Sequence, residues 1–332
     1  MATVDRKGDV HHKERERSYP CLKRWRLQSD SVVQSLRQGL VVLVLMGLLT
    51  GTAAAHRMPR GFRHITVAEG LSQSTVYCIA QDRKGFLWFG TEDGLNRYDG
   101  YAIRVFRWDP RRRDVPSARG APLTNIFALC ADPQSGVWIG SFGGGLGYYD
   151  PATDQIRTYS HDPDDSTTLS SANVAAVFVD RQGTLWVGTL GGGLNRFDRA
   201  TGTWVHYRSD EHDPATIGSD YVRCVYEDDK GRLWIGTDNA GLSLFDRQQG
   251  RFFRYRHDAT DPGSLIDDHV RAICQSSRGT LWLATDGGLE EFDPAQGRFI
   301  HHIGKVKPRA DIPGERVWTV YEDAAGHVWY GT

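Results

Sequence analysis

The residues of this chain best suited to chemistry are aromatic and arginine side chains that recur at one place in a repeated unit. Tyr77, Phe127, Ala175, Arg223, Arg271 and Trp318 each stand second in an apolar, strand-like run. Around a channel mouth the aromatics would stack on a sugar ring, and the arginines would hold an acidic group through a planar fork of donors. The turns that follow read Glu92-Asp93, Phe142-Gly143, Leu190-Gly191, Asp238-Asn239 and Asp286-Gly287. Arg223, Arg271, Trp318, Tyr77, Asp238, Asn239 and Asp286 are therefore the candidate ligand contacts. The competing reading is structural: side chains alternate along a strand, so the same residues would fill the space between neighbouring units.

Nothing in the sequence stands out as a catalytic set. Carboxylates are frequent, but most fall at turns, and no Ser, His and Asp trio escapes the repeat. His161-Asp162, His212-Asp213 and His257-Asp258 invite a metal reading, but their recurrence is better explained by architecture. The five cysteines show neither CxxC nor CxxH spacing, which argues against a zinc site or a redox pair. Cys78, Cys130, Cys224 and Cys274 occupy equivalent strands, as small buried thiols do. No cofactor is expected. A formal net charge of −1 lacks the basic face of a nucleic-acid binder, so no nucleic-acid partner is expected either.

The elements that must position these residues follow from the tryptophans. Trp88, Trp138, Trp186, Trp234, Trp282 and Trp329 are spaced by 50, 48, 48, 48 and 47 residues, each inside a phrase such as DRKGFLWFGTEDGLNRYD or DRQGTLWVGTLGGGLNRFD. Each unit divides into four strands by turn chemistry. The first runs from Val76, Ile126, Val174, Val222, Val270 or Val317 into an Asp-x-x-Gly turn, where Asp accepts a turn amide and Gly takes positive φ. The second unit has one extra residue between Asp132 and Gly136, and the fifth has Ser276 in place of Asp. The second strand carries the Trp and, two residues later, a small residue that lets a neighbouring sheet approach. The third follows a Gly-rich turn, and the fourth carries apolar residues three apart, such as Ile156 and Tyr159.

A period of this length with four strands per unit predicts an all-β fold, a β-propeller of four-stranded antiparallel blades. Five blades are complete and a sixth is half present. The five Trp residues of the complete blades are expected to be buried between blades. The segment from Phe62 to Val67 carries the marks of a lone fourth strand, which would pair with the last blade and close the ring. With the chain stopping at Thr332, the sequence reads as a truncated reading frame or a fragment. By the usual arrangement, the connections into each first strand and those after each second strand share one face, the default ligand face.

Residues 1–55 form a separate leader, and residues 56–332 the propeller. A polar stretch containing Lys23, Arg24, Arg26 and Arg37 gives way to an apolar run from Leu40 to Leu49, too short to span a bilayer comfortably. Ala53 and Ala55 then fit a signal-peptidase site. Cleavage after Ala55 and a periplasmic body are the expectation, with an uncleaved inner-membrane anchor as the alternative.

From Phe62 to Thr332 the sequence resembles the two-component regulator propeller family, both in FRHITVAEGLSQSTVYCIAQ and in the DxxGxLWxGTxxGGL phrase. The resemblance implies a sensor region outside the inner membrane, often ahead of a membrane helix and a cytoplasmic histidine kinase or diguanylate cyclase. No second membrane segment, kinase or cyclase motif is present in these 332 residues. The implied function is non-enzymatic sensing of a small molecule or oligosaccharide, with a membrane-bound kinase or cyclase as a possible partner. A propeller lyase or hydrolase and a protein-binding scaffold are the alternatives.

Overall fold

A computed structural model describes residues 64–107, 123–304 and 316–332. The leader and Phe62 lie outside the described residues, and no helix among the described residues is long and apolar enough to cross a membrane. The first blade is β1 (Val76–Gln81), β2 (Leu87–Thr91), β3 (Gly94–Tyr98) and β4 (Ile103–Phe106). The second is β5 (Ile126–Ala131), β6 (Val137–Ser141), β7 (Gly145–Asp150) and β8 (Gln155–Tyr159). The third is β9 (Val174–Val179), β10 (Leu185–Thr189), β11 (Leu194–Asp198) and β12 (Thr203–Tyr207). The fourth is β13 (Val222–Glu227), β14 (Leu233–Thr237), β15 (Leu242–Asp246) and β16 (Arg251–Tyr255). The fifth is β17 (Val270–Gln275), β18 (Leu281–Thr285), β19 (Gly288–Asp293) and β20 (Arg298–Gly304), and a hairpin of β21 (Thr319–Glu322) and β22 (Val328–Gly331) follows.

Each blade is an antiparallel meander with its strands in chain order. The first strands of successive blades adjoin one another, and the second strand of each blade packs on the first strand of the next. This is the propeller arrangement the period predicts. Trp88, Trp138, Trp186, Trp234 and Trp282 are buried as expected. The glycine two residues beyond each of the first four tryptophans is needed because the next blade occupies the space of its missing side chain. A Cβ on Gly90 would meet Ile126 Cγ2 at 2.7 Å, and one on Gly188 would meet Val222 Cγ1 at 2.5 Å.

The turn aspartate does two jobs. Asp180 Oδ1 accepts the amides of Gln182 and Thr184, shaping the turn, while Oδ2 accepts the indole N–H of Trp186 at 2.9 Å. Asp82, Asp132, Asp228 and Asp323 accept their tryptophans in the same way. Blades are also stitched together: Arg247 of the fourth blade reaches back to Asp180 at 2.7 Å while holding Glu227 at 2.9 Å.

Three expectations need correction. The second unit has no insertion before its Trp, because Ser135 takes the left-handed turn position at φ 91°, which Gly85 fills in the first blade at φ 86°. His212-Asp213 is not the counterpart of the other His-Asp pairs. That place belongs to Ser209-Asp210, for Asp210 N–H bonds Thr216 Oγ1 just as Asp162 N–H bonds Thr168 Oγ1 and Asp258 N–H bonds Ser264 Oγ. Lastly, His64–Thr66 are not in a strand, and Val67–Glu69 form a 3₁₀ turn capped by Thr66 and Glu69. A strand exists only with a ladder partner, and none among the described residues pairs with this segment.

Candidate functional site

The candidate residues stand at a feature of the backbone that sequence did not reveal. Pairing between the first two strands slips at the second residue of the first strand in all five blades: between Val76 and Cys78, Ile126 and Ala128, Val174 and Ala176, Val222 and Cys224, and Val270 and Ala272. Tyr77, Phe127, Ala175, Arg223 and Arg271 are thus bulge residues, opposed to no partner of their own. A bulge breaks the alternation that would fold a side chain into the inter-blade core, and it re-aims that side chain. Tyr77 and Phe127 are 42% and 39% exposed, so they are not buried in the inter-blade core.

The loops around them are bonded into one face. Asp238 N–H donates to Tyr221 O at 2.9 Å, Asp286 N–H to His269 O at 3.2 Å, and Gly143 N–H to Ala172 O at 3.1 Å. Each bond joins the turn after a second strand to the connection that leads into a first strand.

This face has two chemical halves. In the first two blades, Tyr77 and Phe127 stack with centroids 4.5 Å apart at 20°, and Phe142 meets Phe127 edge-on at 6.2 Å. In the fourth and fifth, each arginine is held side-on by the aspartate of its own blade. Arg223 Nε and Nη2 donate to Asp238 Oδ1 and Oδ2, both at 3.0 Å, with Asn239 exposed beside them. Arg271 Nε donates to Asp286 Oδ1, and its Nη2 to Oδ2 at 2.8 Å. Trp318 lies under the Arg271 guanidinium at 4.1 Å, with Arg316 at 5.4 Å on the same ring. Burial by itself would raise the Asp286 carboxyl, but the Arg271 hydrogen bond and the charges of Arg271, Arg316 and His269 outweigh it and hold the carboxyl below its usual range. Asp286 raises Arg271 in return through the same bond.

Arg223 and Arg271 are expected from sequence to hold an acidic group, and in the structure each holds the aspartate of its own blade. Both are already neutralised by carboxylates, and the rim offers donors and acceptors rather than net positive charge.

Sequence reasoning missed the third-strand position just after Gly-Leu, which reads Asn96, Gly147, Asn195, Ser243 and Glu290. Asn96 Oδ1 accepts Ser72 N–H at 2.8 Å, Asn195 Oδ1 accepts Ser170 N–H at 3.0 Å, and Glu290 Oε1 accepts Ile266 N–H at 2.7 Å. Each ties down the loop that enters the rim. The signal was in the sequence: a polar residue in four of the five blades at a site that follows a Leu in every blade.

Among the described residues no group of acidic, histidine or cysteine side chains could hold a metal ion. His161 and His257 bond through Nδ1 to Leu169 O and Leu265 O, both at 2.7 Å, which is a loop-fixing role.

The model of the two component regulator propeller family matches residues 70–93, 168–191, 216–239 and 264–287. These are two component regulator propeller repeats. Each matched segment runs from the loop that enters a blade to the turn after its second strand, so the rim is built from the part of the repeat the family model describes. A 72-residue stretch is 39% identical to Histidine kinase P4 of Formosa agariphila, covering 22% of this chain and 5% of that protein. Among solved structures, the propeller is similar to the extracellular domain of a hybrid two component system of B. thetaiotaomicron, at a TM-score of 0.64 and 23% identity over 81% of this chain and 40% of that one. It is also similar to virginiamycin B lyase from Staphylococcus aureus, at 0.56 and 14% over 77% of this chain and 76% of that one. PorZ, a surface component of the type-IX secretion system of Porphyromonas gingivalis, matches at 0.58 and 17% over 78% of this chain and 37% of that one. At these identities the likeness is one of fold. The chain spans well under half of the histidine kinase and of the hybrid system domain.

Proposed function

We propose that this propeller is the extracytoplasmic ligand-sensing region of a bacterial signalling receptor, and that it binds a neutral, polyhydroxylated small molecule or oligosaccharide without turning it over. The observation that carries the reading is the bulge repeated at Tyr77, Phe127, Ala175, Arg223 and Arg271, where the backbone is constant and the side chain varies from blade to blade. Constant geometry with variable chemistry is what a binding rim needs, whereas packing positions repeat their residue type, as the buried Trp positions do. The stacked Tyr77 and Phe127 suit the flat C–H face of a sugar ring, and the Arg223–Asp238 and Arg271–Asp286 forks present fixed donors and acceptors to hydroxyls. An anionic ligand would have to displace those aspartates. Export by the leader and a kinase or cyclase partner at the inner membrane belong to the same reading, and the kinase and hybrid system named above support it.

Titration calorimetry on the full chain with neutral oligosaccharides and small organic acids tests this. Binding of a neutral oligosaccharide that is lost in Tyr77→Ala and weakened in Arg223→Ala and Trp318→Ala is the expected result. Binding unaffected by all three, a preference for acids, or the appearance of product would overturn it.

A further inference from the structure

Two asparagines adjoin the aromatic half of the rim, each at the residue before a first strand. Asn125 precedes Ile126 and Asn173 precedes Val174, and both of those apolar residues are buried. The main chain of each asparagine is fully engaged. Asn125 N–H donates to Glu92 O at 3.0 Å, and its carbonyl accepts Phe142 N–H at 3.0 Å. Asn173 N–H donates to Ser171 Oγ at 3.2 Å, and its carbonyl accepts Leu190 N–H at 2.9 Å. Both residues are half-buried, and neither carboxamide is bonded to any of the described residues. Both carboxamides reach solvent.

The same place is spent on the protein itself in the later blades. His269 Nδ1 lies 2.7 Å from Asp267 Oδ1, and Arg316 Nε lies 3.3 Å from Asp286 Oδ1. In the second and third blades the side chains are held in place by their backbone and left with open bonds. The aromatic platform touches both of them. Tyr77 stacks on Phe127 and Phe142 meets Phe127 edge-on, and all three rings are exposed. The Phe142-Gly143 turn bonds to each side, Phe142 N–H to Asn125 O and Gly143 N–H to Ala172 O, next to Asn173. An apolar platform is thus flanked by two groups that each carry a donor and an acceptor. A sugar ring has the matching parts, a C–H face and an edge of hydroxyls that donate and accept at once.

We propose that Asn125 and Asn173 are specificity-determining contacts of the rim: a ring seated on Tyr77 and Phe127 turns its hydroxyl edge to the two carboxamides, which take one hydroxyl configuration over its epimer. The stack supplies affinity without choice, because it meets the C–H face and not the hydroxyls. The carboxamides supply the choice, because inverting a hydroxyl leaves polar groups on both sides without partners. This rests on the reading of the rim as a saccharide site.

The test measures binding of neutral gluco-, galacto- and manno-configured disaccharides and trisaccharides to the full chain by calorimetry, in the wild type, Tyr77→Ala, Asn125→Gly and Asn173→Ala. Glycine is the choice at 125 because Asn125 takes φ 50°. The wild type should prefer one configuration. Tyr77→Ala should weaken every saccharide by a similar factor. Each asparagine variant should weaken the preferred one about threefold to tenfold and leave the others nearly unchanged, so that the preference collapses. Melting temperatures of the asparagine variants should match the wild type, since neither carboxamide holds another part of the protein. Should Asn125→Gly not fold, Asn173→Ala carries the test. A wild type that binds none of these saccharides overturns the rim reading and this inference with it. Binding that is weakened in Tyr77→Ala, with the preference intact in the asparagine variants, keeps the rim reading and overturns the inference. A wild type without preference, or a loss of stability in Asn173→Ala, overturns it as well.

Discussion

Trp282 donates its indole N–H to Glu322 Oε2 at 2.8 Å across a blade boundary, whereas the tryptophans of the other blades bond the aspartate of their own turn. The reason is local: Ser276 holds the place of that aspartate and is too short to reach the ring. Glu322 also accepts Ser277 N–H at 2.8 Å. Glu322→Ala should cost about 1–3 kcal/mol by leaving a buried donor unpaired, and adding Ser276→Asp should return most of it. Denaturant melts of the single and double variants check this.

Trp186→Ala should cost about 3–5 kcal/mol, because a 1% exposed ring packed between two blades leaves a cavity. Trp329 makes the same bond to Asp323 but is 63% exposed, so Trp329→Ala should cost far less. Equal losses would show that the cost lies in the hydrogen bond rather than in packing.

Acid should unfold the protein through the turn aspartates. Burial alone would raise Asp180 and Asp228, yet Asp180 is held below its usual range by Trp186 and Arg247, and Asp228 by Trp234 and Arg232. Their contribution is present above the unfolded value of about 3.9 and is lost as pH falls through the lower folded values. Arg247→Ala should move the acid midpoint upward, as followed by tryptophan fluorescence.

Tyr77→Ala and Phe127→Ala should each weaken oligosaccharide binding about tenfold, equivalent to about 1.4 kcal/mol, while lowering stability by about 1 kcal/mol or less. Paired calorimetry and thermal melts separate the two quantities.

The thiols of Cys78 and Cys224, pushed up to about 12 by burial, and of Cys130, pushed up to about 11, should be silent to a disulfide reagent in the folded protein at pH 8 and titrate fully on denaturation. Modification of the native protein at the rate of a free thiol would contradict the half-buried placement of these residues.

Much of the architecture was legible in the residues alone. The Trp period, the Asp-x-x-Gly turns and the small residue two beyond each Trp specify four strands per unit and a close approach between units, because turn chemistry and the bulk of an indole act over short stretches of chain. Which side chains line the rim was only partly legible. From sequence the second residue of each first strand fits either a channel rim or the filling between blades, and only the bulge, set by how two strands align once blades pack, turns Tyr77 and Phe127 outward. The pairing of Arg223 with Asp238 and of Arg271 with Asp286, the service of Glu322 to Trp282, and the hold of Glu290 on the Ile266 amide all join residues from different strands, turns or blades. Periodicity reports what each residue is. Which donor meets which acceptor is decided when the blades come together, because a hydrogen bond or an ion pair forms only at a separation and an angle that the packed chain imposes.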